Sequence, residues 1–136
     1  MRFMMFMYPG HADEQNWEPS AEDVAQMGAY NEELGKAGVL LALDGLHSPA
    51  EGARVSFAGQ QPLVTDGPFA ETKEAIGGYW IIDVPSKEEA VRWASRCPAQ
   101  PRDTIEVRQV YELSEFPEDV QAAARLSETP PQQTGG

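Results

Sequence analysis

Three residues able to do chemistry stand close together in one stretch, Asp66-Gly67-Pro68-Phe69-Ala70-Glu71-Thr72-Lys73-Glu74. As the wall of a site, Asp66 would accept hydrogen bonds, Lys73 would supply positive charge, and Glu71 would orient the ammonium. The same stretch also reads as a tight turn. Asp is a turn former, Gly67 supplies permissive backbone angles, Pro68 fixes the next φ, and Phe69 can plug a core. Turn chemistry accounts for three of the first four residues and explains Thr72 and Lys73 less well, so these two carry more functional weight. A lysine in an acidic chain calls for a small anionic ligand: a carboxylate, a phosphate or an enolate.

His47, in Gly45-Leu46-His47-Ser48-Pro49, is a second candidate. In a cleft it would be an acid/base group that titrates near neutrality; in a loop it would simply face solvent. Arg108 alternates with Ile105 and Val107, so it projects from the opposite face of its strand. There it either binds an anion or forms a rim ion pair with Glu106 or Glu112, which is worth little. Tyr8, closing the opening apolar run, completes the set of ligand candidates. Two histidines, His11 and His47, and scattered carboxylates have no metal-ligand spacing, so no metal is expected. Gly77-Gly78 lacks the Gly-Lys-Ser/Thr that completes a phosphate loop, and there is no Gly-x-Ser-x-Gly elbow. No cofactor is expected. Cys97, the single cysteine, falls on an apolar helical face and reads as an inert core thiol.

Charge narrows the partners. The 136 residues hold 22 acids against 10 bases, a net charge of −12. Such a surface repels nucleic-acid phosphates and anionic membranes, so neither is an expected partner. No segment approaches the ~18 apolar residues of a membrane span. The lone cysteine suits a reducing compartment, and the expected location is the cytoplasm.

These residues need elements to hold them. Residues 2–8 are apolar on both alternating faces, Phe3, Met5 and Met7 on one and Met4, Phe6 and Tyr8 on the other, which predicts a central strand covered on both sides. Ser20 starts a helix whose Val24, Met27, Tyr30 and Leu34 form the buried stripe. Residues 39–43 form a strand, and 54–58 with 63–65 form a hairpin. The stretch 70–75 reads as one helical turn. Residues 78–84 are a strand rich in aromatic and β-branched side chains. Ser86-Lys87-Glu88-Glu89 is a capping-box pattern that opens a second helix, with Ala90, Trp93, Ala94 and Cys97 on its apolar face. Residues 104–113 form the last strand. A short helix over 117–126, with Val120, Ala123 and Ala124 on one side, precedes a tail without large apolar groups.

The order is β-α-β, hairpin, β-α-β: an α+β chain with the ferredoxin-like split βαβ arrangement and an inserted β-hairpin. Two helices cover one sheet face only. The other would carry half of Met4, Phe6, Tyr8, Trp80 and Ile82, and leaving that patch wet would cost ~25 cal/mol per Å². A second copy of the chain would cover it, so a homodimer is expected.

The 66–74 stretch, with Gly77-Gly78-Tyr79-Trp80, Ile82-Asp83-Val84, Ala37-Gly38-Val39-Leu40 and Ile105-Glu106-Val107-Arg108, resembles the DGPF group of the YCII-related proteins. The resemblance covers residues 1–115 as one domain and leaves 116–136 as a short C-terminal helix and flexible tail. It implies a ferredoxin-like fold paired sheet to sheet as a dimeric α/β barrel, in a group whose genes neighbour extracytoplasmic-function sigma factors. A catalytic branch of the wider superfamily carries a His on the first helix and an Asp before a Pro after the second. Met27 and Cys97 fall at those places here, and neither replaces an acid/base pair. The resemblance thus implies a small-molecule binding or sensing protein, accessory to sigma-factor-linked control. The alternative is a small isomerase or lyase for a polar or aromatic acid, with a relocated acid/base group.

Overall fold

Alternation in the first strand decides where the core lies. Phe3, Met5 and Met7 are buried, while Met4, Phe6 and Tyr8 on the other face are only half-buried. The computed structural model describes residues 1–10, 19–67 and 75–128. In chain order the elements are β1 (Arg2–Tyr8), α1 (Ala21–Lys36), β2 (Leu40–Gly45), β3 (Ala53–Ser56), β4 (Leu63–Asp66), β5 (Gly78–Asp83), α2 (Lys87–Ser95), β6 (Thr104–Gln109) and α3 (Glu118–Glu128), with short 3-10 turns at Pro49–Glu51 and Leu113–Glu115.

The main sheet has the order β2-β5-β1-β6, and every adjacent pair is antiparallel. With β3 and β4 set aside as a separate hairpin, this is the split βαβ order. The architecture is α+β, consistent with a ferredoxin-like fold. Among the described residues the sheet is open and closes no barrel.

Both long helices pack on the face that carries Phe3, Met5, Trp80 and Ile82. Ser20 caps α1 by accepting from the Asp23 amide at 3.1 Å. Tyr30 and Leu34 are its buried residues. Tyr30 meets Trp80 edge-on, with ring centroids 5.9 Å apart, and its hydroxyl donates to the Trp93 carbonyl at 2.7 Å. The Trp80 indole donates to Asn31 Oδ1 at 2.8 Å. The polar tips of these large rings are thus satisfied, so their area can be buried without an orphaned donor. Ser86 caps α2 by accepting from the Glu89 amide. Glu89 itself pairs with Arg92, so only half of the expected capping box forms.

Three expectations are corrected. Val24 is 56% exposed, because it lies in the first turn of α1, ahead of the half-buried Met27 and beyond the packed part of the helix. Cys97 sits past the end of α2, which stops at Ser95, rather than on its face. The last strand ends at Gln109; the next amide, Val110, still donates to the Arg2 carbonyl, and the chain then leaves the sheet. The 70–75 turn falls, except for Ala75, outside the described residues.

Candidate functional site

One end of the sheet collects the ends of several elements. The register sets Met7 against Gly78, Gly78 against Gly45, and Tyr8 against Thr104. The segment after β2 is tied to this end by two backbone bonds: Leu46 donates to the Gly77 carbonyl at 2.9 Å, and Gly77 donates to that of Met7 at 2.7 Å. The chain then turns through Pro49–Glu51, capped by Ser48 Oγ, which accepts from the Ala50 amide at 3.1 Å. Pro49 begins that turn, where a missing amide costs nothing.

A cavity of about 520 Å³ opens here, lined by Tyr8, Leu46, His47, Ser48, Arg54 and Ile76, among others. Tyr8 reaches it from the open sheet face, and Arg54 from the foot of the hairpin. His47 Nδ1 lies 3.0 Å from Glu51 Oε2. An ionised carboxylate can only accept, so this contact places the proton on Nδ1 and leaves Nε2 with a lone pair in the neutral ring. Both side chains are well exposed, so the contact adds little stability.

Gly67 locks this region. Its amide donates to the Gly52 carbonyl at 2.9 Å. A Cβ added to it would lie 1.9 Å from the Pro49 carbonyl oxygen. Glycine is required by this close approach and not by a left-handed φ, which corrects the expectation of permissive backbone angles. The approach ties the start of the 66–74 stretch to the turn that carries His47.

Of the sequence candidates, Tyr8 and His47 therefore share one cavity. Asp66 ends β4, exposed and paired in register with Ala53, and does not line it. Arg108 is opposite Met4, four residues along β6 from Thr104, and about 13 Å from that end of the sheet. Its expected partner Glu112 is instead held by Arg2, through Nε at 2.7 Å and Nη2 at 3.1 Å. Glu71 and Lys73 lie outside the described residues. Sequence reasoning missed Arg54 and Ser48. Arg54 had a signal, as the only basic residue between Lys36 and Lys73 apart from His47.

Met27 and Cys97, far apart in sequence, are in contact, with Cys97 Sγ 3.9 Å from Met27 Sδ. Burial pushes the thiol up to about 11, and Asp103 adds to the shift. Such a thiol stays protonated near neutrality and is a poor nucleophile. Met27 also lines a second cavity, of about 320 Å³, with Asp23 and Asp103. Both carboxylates are engaged in holding loops. Asp103 accepts from the Gly10 and Gln100 amides, each at 2.9 Å, and Asp23 accepts from the Gln100 side chain at 3.1 Å. Among the described residues, no group of His, Cys, Asp and Glu could hold a metal ion. None of the described helices is long and apolar enough to cross a membrane.

A model of the YCII-related domain matches residues 1–114. The chain belongs to the YCII-related family. A relative, an uncharacterized protein of Rhizobium meliloti (strain 1021), is 27% identical over 96 residues, which cover 69% of this chain and 77% of the relative. The match spans the sheet, the hairpin, α1 and α2, and ends before α3.

Proposed function

We propose that this YCII-related protein belongs to the DGPF group and binds a small anionic molecule, as a cytoplasmic homodimer with a sensing rather than a metabolic role. The observation that supports binding is the cavity at the sheet end, where Tyr8, His47 and Ser48 offer hydrogen bonds and Arg54 offers a guanidinium. Glu51 also lines the cavity and pairs with His47, so Arg54 is the group there that would draw an anion to a chain of net charge −12. Lys73 is proposed as a second positive point and Arg108 as an anion contact on the open face, apart from the cavity. The two sulfurs at the family's acid/base positions argue against inherited catalysis. A link to sigma-factor control rests on the DGPF resemblance.

A second reading has one observation behind it. Glu51 holds His47 in the tautomer that leaves Nε2 as a base, the arrangement a relocated acid/base group of an isomerase or lyase would use. Native mass spectrometry of the protein from its own host will reveal a co-purified ligand. Calorimetry with small carboxylates and phosphates then compares the wild type with Arg54→Gln. The expected result is wild-type binding weakened at least ~10-fold in the variant, the scale of one lost charge-assisted contact. Equal affinity in the two proteins, or no binding by the wild type, overturns the assignment to this cavity.

A further inference from the structure

The β3–β4 hairpin forms a two-stranded sheet of its own. All eight of its strand residues are exposed, and Val55, Phe57, Leu63 and Val64 are 51–77% exposed. Among the described residues it pairs only with itself, and a lone two-stranded hairpin is marginal in water. We infer that this hairpin is an arm that clasps the second copy of the chain, at the Thr104 end of the partner's β6.

The inference rests on the homodimer reading and takes it further. Area gives the first argument. The open face is four strands wide, and one side of the hairpin and its connecting loop extends it. In a twofold pair each subunit both gives its arm and receives the other, so the arm counts twice toward the ~800 Å² that a stable pair buries on each partner.

Charge gives the second. Two copies of a chain with net charge −12 repel, so uncharged surface is where they meet at least electrostatic cost. Residues 55–65 are the longest run in the sequence without Asp, Glu, Lys or Arg. An exposed hairpin edge ordinarily carries such charges as a guard against pairing; here only the foot does, at Arg54 and Asp66.

Topology gives the place. A twofold axis parallel to the strands lays the β2 edge of one sheet over the β6 edge of the other, given the order β2-β5-β1-β6. The hairpin follows β2 at the end of the sheet that also holds Tyr8 and Thr104. Its foot, at Gly52 and Arg54, walls the cavity that Tyr8 enters from the open face. The arm therefore rises on the side a partner would occupy, and the partner's arm arrives beside Tyr8.

Sedimentation of the wild type and of Phe57→Asp/Val64→Asp tests the inference, with far-UV circular dichroism to check the fold. A wild-type dimer at micromolar concentration and a dimer constant at least tenfold weaker in a folded variant are expected. If the wild type dimerises and the variant dimerises equally well, the arm is overturned while the dimer stands. A monomeric wild type overturns both and leaves the hairpin to another partner. Hydrogen exchange of residues 53–66 in the wild type needs no variant. Protection should rise at least tenfold between concentrations below and above the dimer constant, and unchanged protection overturns the arm.

Discussion

The main sheet and the hairpin are built from the same kind of residues and end in opposite conditions. Phe3, Leu34 and Ile82 are at most 1% exposed, whereas Phe57 is 77% and Leu63 is 65% exposed. Both regions have regular antiparallel ladders: β3 and β4 pair cleanly from Ala53↔Asp66 to Ser56↔Leu63. Backbone pairing therefore does not create a core. A core appears where a third element crosses the ladder, as α1 and α2 do over β1 and β5, and in a single chain nothing described crosses the hairpin.

The largest test compares one residue from each region. Leu34→Ala removes a fully buried side chain beneath the sheet and should cost ~2–5 kcal/mol in denaturant unfolding. Val64→Ala, measured at dilution below any dimer constant, should cost under ~0.5 kcal/mol, as an exposed substitution does. A comparable loss at Val64 in the dilute protein would mean that the hairpin is packed within its own chain, and the contrast would collapse.

The joint between the two regions comes next. Gly67→Ala drives a Cβ into the Pro49 carbonyl, and the backbone must shift to relieve it. The expected cost is ~1–3 kcal/mol, the range for overpacking. Because Pro49 directly follows the His47-Ser48 pair, the same variant should weaken ligand binding more than Val64→Ala does, as read by calorimetry. A destabilised variant with wild-type affinity would show that the joint serves the fold alone.

Much of this was legible in the sequence because periodicity records burial. The doubly apolar 2–8 run gave a central strand, and the helical spacing of Met27, Tyr30 and Leu34 gave the packed side of α1. The misses share a cause. Val24 obeys the helical period, but exposure at the end of a helix depends on how far the sheet reaches, which no local pattern encodes. Gly67 reads as a turn glycine, yet its reason is a carbonyl eighteen residues earlier in the chain. The cavity was half legible. Tyr8 and His47 stood out by type, but Arg54 joins them only because Leu46 and Gly67 fold the 46–54 segment back onto the sheet end. Asp66 and Arg108 were drawn in by their chemistry and set apart by strand register.

The smallest test concerns the other outlying piece, the segment that leaves β6 for α3. Arg2 grips Glu112 with two hydrogen bonds and so fastens this segment to the start of β1. The grip holds the Glu112 carboxyl below its usual range, through the hydrogen bond from Arg2 first and its charge second. Because the folded state favours the ionised form, the contribution is complete above the ordinary carboxylate pKa of about 4.3 and disappears as pH falls through the lowered folded value. Glu112→Gln should therefore melt slightly below the wild type near neutral pH, and the gap should close in acid. Added salt should narrow it too, since both side chains are 41% exposed and the pair is screened. A gap that persists in acid would assign the effect to packing of the 110–117 segment rather than to charge, and this segment would then belong with the sheet instead of beside the hairpin.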